Sequence, residues 1–510
     1  MRHAFLAAAV AAGLLAAAPT ARANGRFPQS NQILFSPTQS SWIVVRNSFG
    51  ITISKDGGNS WYWLCEDTLG LPSTSNEDPF LGVTSNDSIV AGLSLGLQVS
   101  TDVGCNWTVE GGPLQGQSIK DLVVHKENAH IVDTIANSYS AMLNDGGGGY
   151  GHQLFETTDD GANWTAFGTQ IDPIADVTTI EVAPSDPNRI YVSAFRGQAS
   201  GRTASLFVSK DHGATWTEHQ TPLDPAHETA VYIGGVDPMN ADLVYLRTEG
   251  LSRLIVTKDG GQTFQSSKQL TGQMLGFALS PDGSKIYIGS IEDGLFVGDR
   301  ATLTFVNTNP QIHVQCLATQ GNDVWACSDE PSCFVAGVSH DDGKTFTAKM
   351  HLLSIQGPIQ CAAGAQANMC AGMPFAGLCS NVGACYGIDA SPVLPLTSTC
   401  SCSGSCDTTP TYDAAGCPIV GNDASLYCPL TAGDAGDAGQ GGSSSSGGGS
   451  SGGSSGGGSS GGGGSGSGGS KSSCGCGVVG GGGALGFLAT AALAGAIGAR
   501  RRRRRGGGSS

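Results

Sequence analysis

One eight-residue pattern recurs six times in this chain, and it limits the fold more than any other feature. The pattern is Ser/Thr, any, Asp, any, Gly, any, Ser/Thr/Asn, aromatic. Its first copy is Ser54-Lys55-Asp56-Gly57-Gly58-Asn59-Ser60-Trp61. Later copies centre on Asp102, Asp159, Asp211, Asp259 and Asp341, and close with Trp107, Trp164, Trp216, Phe264 and Phe346. The Asp-to-Asp steps are 46, 57, 52, 48 and 82 residues. The last step is nearly double the others, so a degenerate seventh unit is expected inside it, at residues 294–305 around Asp299.

The chemistry of the pattern is that of a tight hairpin. An Asp carboxylate accepts hydrogen bonds from amides just downstream and fixes the turn. Glycine two residues on supplies a positive φ that a side chain opposes. The closing aromatic anchors the next strand. Each unit also reads as four short strands. In the fourth these are residues 177–183, 189–194, 204–208 and 215–219, and the first two are joined by the turn cluster Pro184-Ser185-Asp186-Pro187-Asn188. The expectation is an all-β chain: a seven-bladed β-propeller of four-stranded blades over residues 24–350. A parallel β-solenoid is the alternative, but its repeats are shorter. The first unit opens with its own inner strand and the last ends with its own outer strand. The segment after Met350 is therefore the candidate latch for the ring.

The octapeptide resembles the Asp box, or BNR repeat, of sialidases and related propellers. The resemblance implies that the six box aspartates are structural and that ligands meet the opposite rim. Loops expected on that rim carry Arg46, Tyr150, His152, Arg196, Arg202, Arg247 and Arg253 as ligand-binding candidates. They also carry Glu249, Glu292 and Asp293 as candidate catalytic carboxylates. Arginines beside carboxylates suit bidentate recognition of a carboxylated or sugar ligand. Ordinary loop ion pairs are the competing reading. Arg26-Phe27-Pro28 resembles the sialidase Arg-Ile-Pro motif, yet residues 27–55 contain no Asp or Glu. The carboxylic acid that the sialidase resemblance requires there is missing. Xyloglucan-cleaving hydrolases, sortilin-type receptors and photosystem assembly factors share the box.

Both ends of the chain read as addresses. Residues 1–23 have a basic start, a small-apolar run and Ala21-Arg22-Ala23, the pattern of a cleaved signal peptide. A disordered Gly/Ser linker is expected over residues 431–473. Residues 474–510 begin Cys474-Gly475-Cys476, continue in a hydrophobic helix expected to span a membrane over 478–499, and end in six arginines from Arg500 to Arg505. This order resembles the MYXO-CTERM sorting tails of myxobacterial surface proteins, which implies export, processing near Cys474 or Cys476, and a lipid there. A plain single-span anchor is the alternative.

Charge and cysteine content narrow the partners. The 510 residues carry 26 basic and 42 acidic side chains, a net charge of −16. The two ends hold eight arginines and no acid, so the remainder is more acidic still. That argues against nucleic acid, which needs a basic patch. Twelve of 16 cysteines lie between Cys316 and Cys428. In an oxidising compartment they are expected to pair, with Cys327 bonded to Cys333 and a small disulfide-rich module over 351–430 that Cys316 joins. Zinc is the rival reading for those cysteines. Cys65 and Cys105 fall at opposite ends of their blades, too far apart to bond to each other.

These readings combine into an exported, monomeric propeller held at the cell surface or outer membrane through its C-terminus. It is expected to bind an extracellular glycan or protein without catalysis, and with no metal and no cofactor. The alternative is a glycoside hydrolase, sialidase-like or xyloglucanase-like, acting on extracellular glycans.

Overall fold

In a computed structural model, the structure describes residues 29–71, 77–138, 151–197, 201–329, 332 and 334–371, with a few short stretches between 374 and 419. The expected signal peptide, most of the expected cysteine-rich module, and the expected linker and sorting tail lie outside the described residues.

The chain folds as seven antiparallel four-stranded sheets in sequence order, covering residues 30–64, 80–109, 118–167, 176–220, 231–269, 276–309 and 316–350. The innermost strands meet their neighbours in cyclic order. The strand Ser30–Phe35 of blade 1 touches both Phe80–Val83 of blade 2 and Cys316–Gln320 of blade 7, which closes the ring. The expected seven-bladed propeller is therefore what forms, and its degenerate sixth blade contains the strands Gly294–Asp299 and Phe305–Asn309.

Burial follows from this stacking. Each blade is covered on both faces, so its middle strands read as continuous apolar runs. Ile43–Asn47, Gly50–Ser54 and Ile89–Leu93 are buried almost throughout. The core consists of apolar layers between successive sheets, such as Ile135, Leu154, Val177, Ile190 and Val192 between blades 3 and 4. Outermost strands face water and are polar, as in Thr217–Gln220 and Gln265–Gln269. The innermost strands have a free edge at the ring axis, and side chains satisfy part of it. Ile180 N–H donates to Asp121 Oδ2 at 2.9 Å, and Ile233 N–H donates to Thr179 Oγ1 at 2.9 Å.

The boxes behave as their chemistry requires. In blade 5, Thr263 donates from its amide to Asp259 Oδ1 at 2.9 Å and from its hydroxyl to Oδ2 at 2.6 Å. These bonds, the Thr263 hydroxyl first, hold the Asp259 carboxyl down at about 2. The box glycine has a second duty that the turn alone does not reveal. Gly343 sits at φ +78, and a Cβ there would lie 2.0 Å from Leu295 of the preceding blade. Each box thus grips its own hairpin and also presses against its neighbour's sheet.

Blade 1 departs from the pattern. Its outer strand, Trp61–Leu64, is apolar and largely buried because Ile355–Pro358 adds beside it as a fifth, parallel strand. The segment after Met350 is indeed the latch. Trp61 Nε1 also donates to the Lys349 carbonyl of blade 7 at 2.7 Å. Beyond the latch strand, Cys361 bonds to Cys105 and Cys370 to Cys65, with Cα separations of 5.6 and 5.4 Å. The two early cysteines are not a pair; each is satisfied by the returning chain. The expected Cys327–Cys333 bridge is also corrected. Cys327 bonds to Cys316, its register partner on the adjacent antiparallel strand, with Cα atoms 4.7 Å apart. Cys316 therefore belongs to blade 7 and not to a separate module. Past Met350, the strand Ile355–Pro358 and the bridged Cys361 and Cys370 are joined to blades 1 and 2.

Candidate functional site

Strand alternation puts every loop between a blade's second and third strands at the opposite end from its box. The rim named from sequence is therefore a single rim. Its polar groups, however, are largely bound to one another. Arg196 donates Nε to Asp172 Oδ2 at 2.7 Å and grips both carboxylate oxygens of Glu218. Arg253 takes both oxygens of Glu228, whose side chain is fully buried, and the Pro222 carbonyl at 2.7 Å. Arg202 reaches the Thr229 carbonyl and lies 4.6 Å over the Phe195 ring. Arg46 donates to Asn31 Oδ1 and to the Pro79 carbonyl. His152 is buried between Asn137 Oδ1 and the Ala175 carbonyl, and burial lowers its pKa. Tyr150 lies outside the described residues.

The three candidate carboxylates are not equivalent. Asp293 Oδ2 accepts from Thr271 N–H at 2.9 Å, Gly272 N–H at 2.8 Å and Ser290 Oγ at 2.7 Å. Burial opposes its charge, but these donors win and its pKa is lowered. It is a turn clamp that stays ionised, unsuited to donating a proton near neutrality. Glu249 accepts from the Thr229 hydroxyl. Glu292 is exposed beside Gly272.

A second region, missed from sequence, lines the ring axis. Asp121 and Glu181 sit on the innermost strands Ser118–Val124 and Asp176–Ala183 of adjacent blades. Desolvation raises both carboxyls to about 7. Their negative charges also oppose each other, which raises Asp121 further. Arg247 lies 5.0 Å over the Tyr232 ring, donates to the Met274 carbonyl at 2.8 Å, and is depressed by burial. The available signal was a charged residue between apolar neighbours on an inner strand, as in Ile180-Glu181-Val182. The innermost strands thus hold two carboxyls pushed up to about 7, whereas Arg196 and Arg253 on the rim are locked in ion pairs.

Among the described residues, one group mixes carboxylates and an imidazole at metal-ligand spacing: Asp133, Glu156 and His212. It lies on the box side, between blades 3 and 4.

The chain is similar in part to several known proteins. Residues 96–225 match the Sortilin-Vps10 family model, described as sortilin, neurotensin receptor 3. No curated protein matches the chain. Among solved structures, an ancestral GH74 enzyme is 15% identical, with a TM-score of 0.45 over 64% of this chain and 47% of that one. Hydrazine synthase of Kuenenia stuttgartiensis is 10% identical, with a TM-score of 0.45 over 64% and 99%. YCF48 from Cyanidioschyzon merolae is 11% identical, with a TM-score of 0.39 over 59% and 92%. The chain spans about half the length of the GH74 enzyme it matches. Box chemistry, blade order and the partial family match describe a seven-bladed β-propeller of the Asp-box type.

Proposed function

We propose that this propeller is an exported binding protein, held at the cell surface through its C-terminal tail, and that it recognises an extracellular protein or glycan without cleaving it. The observation that carries the non-enzymatic reading is the state of the rim. Asp293 is clamped as a carboxylate, and Arg196 and Arg253 are each consumed by internal acids. A glycosidase needs one carboxyl poised to donate a proton and a second to attack or activate water. Three disulfides support maturation in an oxidising compartment.

The hydrolase reading keeps one supporting observation. Burial pushes Asp121 and Glu181 up to about 7 on the innermost strands, where a general acid would be poised. The test is a glycan array and a pull-down from outer-membrane extracts with residues 24–371, run beside a polysaccharide hydrolysis screen. Specific capture without turnover is the expected result. Turnover that disappears in Asp121→Asn or Glu181→Gln would replace the binding reading with the hydrolytic one.

A further inference from the structure

Asp133 is the second residue of the strand Val132–Ser138, deep between blades 3 and 4. Its side chain is fully buried, and neither carboxylate oxygen accepts a hydrogen bond. A buried carboxylate left this way is costly unless a cation meets it. The His125 Nε2 atom lies 3.1 Å from Oδ2, but it too makes no hydrogen bond. Directly across the sheet, Glu156 is the register partner of Asp133, so both side chains leave the same face. The box of blade 4 then brings in His212, whose Nε2 lies 2.9 Å from Glu156 Oε1. His212 is held there by stacking on Phe167, with centroids 4.5 Å apart. Ligand atoms of Asp133, Glu156 and His212 all fall within 4.8 Å of one another.

We propose that Asp133, Glu156 and His212 form a binding site for a divalent transition cation of the zinc class, linking blade 3 to the box of blade 4. An imidazole with two carboxylates suits zinc-class ions, whereas calcium takes six to eight oxygens. Around a shared zinc, ligand atoms lie about 3–3.5 Å apart, which follows from bonds of about 2.0–2.2 Å. The 2.9 Å His212–Glu156 spacing is already near that value. Glu156 and His212 are only partly buried, so the site opens to solvent on one side. Three protein ligands leave a coordination position for water or a small anionic group. His125 Nε2, 3.1 Å from Asp133 Oδ2, is within reach to serve as an outer-shell partner once the metal draws the carboxylate into place.

The test uses the full oxidised chain, stripped with chelator and titrated with Co2+ as an optical probe and Zn2+ as a stabiliser. The expected result is one high-affinity Co2+ per chain with no sulfur-to-metal charge-transfer band, and a thermal midpoint that rises with Zn2+. Glu156→Gln and His212→Asn should each weaken binding at least tenfold. Asparagine tolerates the left-handed backbone of His212, at φ +54. Asp133→Asn should abolish binding; if that variant does not fold, the other two still decide. The proposal is overturned if the parent chain takes up no cobalt, if a thiolate band shows the metal on cysteines, or if both exposed-side variants bind as the parent does.

Discussion

Cys370 is bonded to Cys65 across 305 residues of chain, and the short 3-10 helix Gln366–Cys370 that carries it lies along the box of blade 2. Gln366 N–H donates to Asn106 Oδ1 at 3.1 Å, and Trp107 N–H returns a bond to Gln366 Oε1 at 2.6 Å. Replacing Cys65 and Cys370 by Ala should lower stability by about 2–4 kcal/mol, because a long loop in the unfolded chain is released. Removing the Cys105–Cys361 bridge as well should cost more than either bridge alone, since each bridge shortens the loop the other must close. Non-reducing urea denaturation of the three variants checks the order.

Arg253 and Glu228 provide the sharpest test of the rim. If the pair is structural, Arg253→Ala strands a fully buried carboxylate and should cost about 3–5 kcal/mol. Arg253→Met with Glu228→Met should recover most of that loss. A ligand-binding Arg253 predicts instead unchanged stability and reduced capture, so thermal melts and binding assays separate the two roles.

The boxes should set acid resistance. Asp259 and Asp341 are held at about 2, below the ordinary Asp value of 3.8, chiefly by the Thr263 hydroxyl and the Thr345 amide respectively. A lowered folded pKa adds stability that is present above pH ~4 and lost as pH falls toward ~2. Unfolding followed from pH 5 to pH 2 should show this loss, and Asp259→Asn should flatten its share of the slope. Asp259→Ala should cost about 1–2 kcal/mol at pH 7 through its lost turn bonds.

The carboxyls of the innermost strands should act in the opposite sense. Asp121 and Glu181 are raised to about 7, so their folded forms favour the proton. The stabilisation is full below pH ~4 and is lost as pH rises through ~7. Asp121→Asn and Glu181→Gln should therefore each stabilise the protein at pH 8, by about 1–3 kcal/mol, and have little effect at pH 4. Melting curves at the two pH values give the comparison.

What the sequence disclosed divides along the range of the forces involved. The boxes were legible because Asp259, Gly261 and Thr263 complete their bonds within five residues. The degenerate blade was legible from spacing alone, around Asp299. The second-to-third loops gather at one end because strand alternation leaves no choice. Their partners were not legible: Arg253 meets Glu228 only after two loops of neighbouring blades converge. The same holds for Cys65, whose partner is fixed by the path of the last turn of chain. Two local clues were available. Trp61-Tyr62-Trp63-Leu64 is an apolar outer strand where other blades place polar residues, and such a strand requires a cover. Asp133 likewise stands in the run Ile131-Val132-Asp133-Thr134-Ile135, where a buried carboxylate needs a counter-charge.

The doubly bridged strap has a mechanical consequence. Tension applied to the chain beyond residue 371 passes through two sulfur–sulfur bonds into blades 1 and 2. Blade 7 is bypassed, so load on that end is carried by covalent bridges, where an unbridged final strand would have to hold it by hydrogen bonds alone.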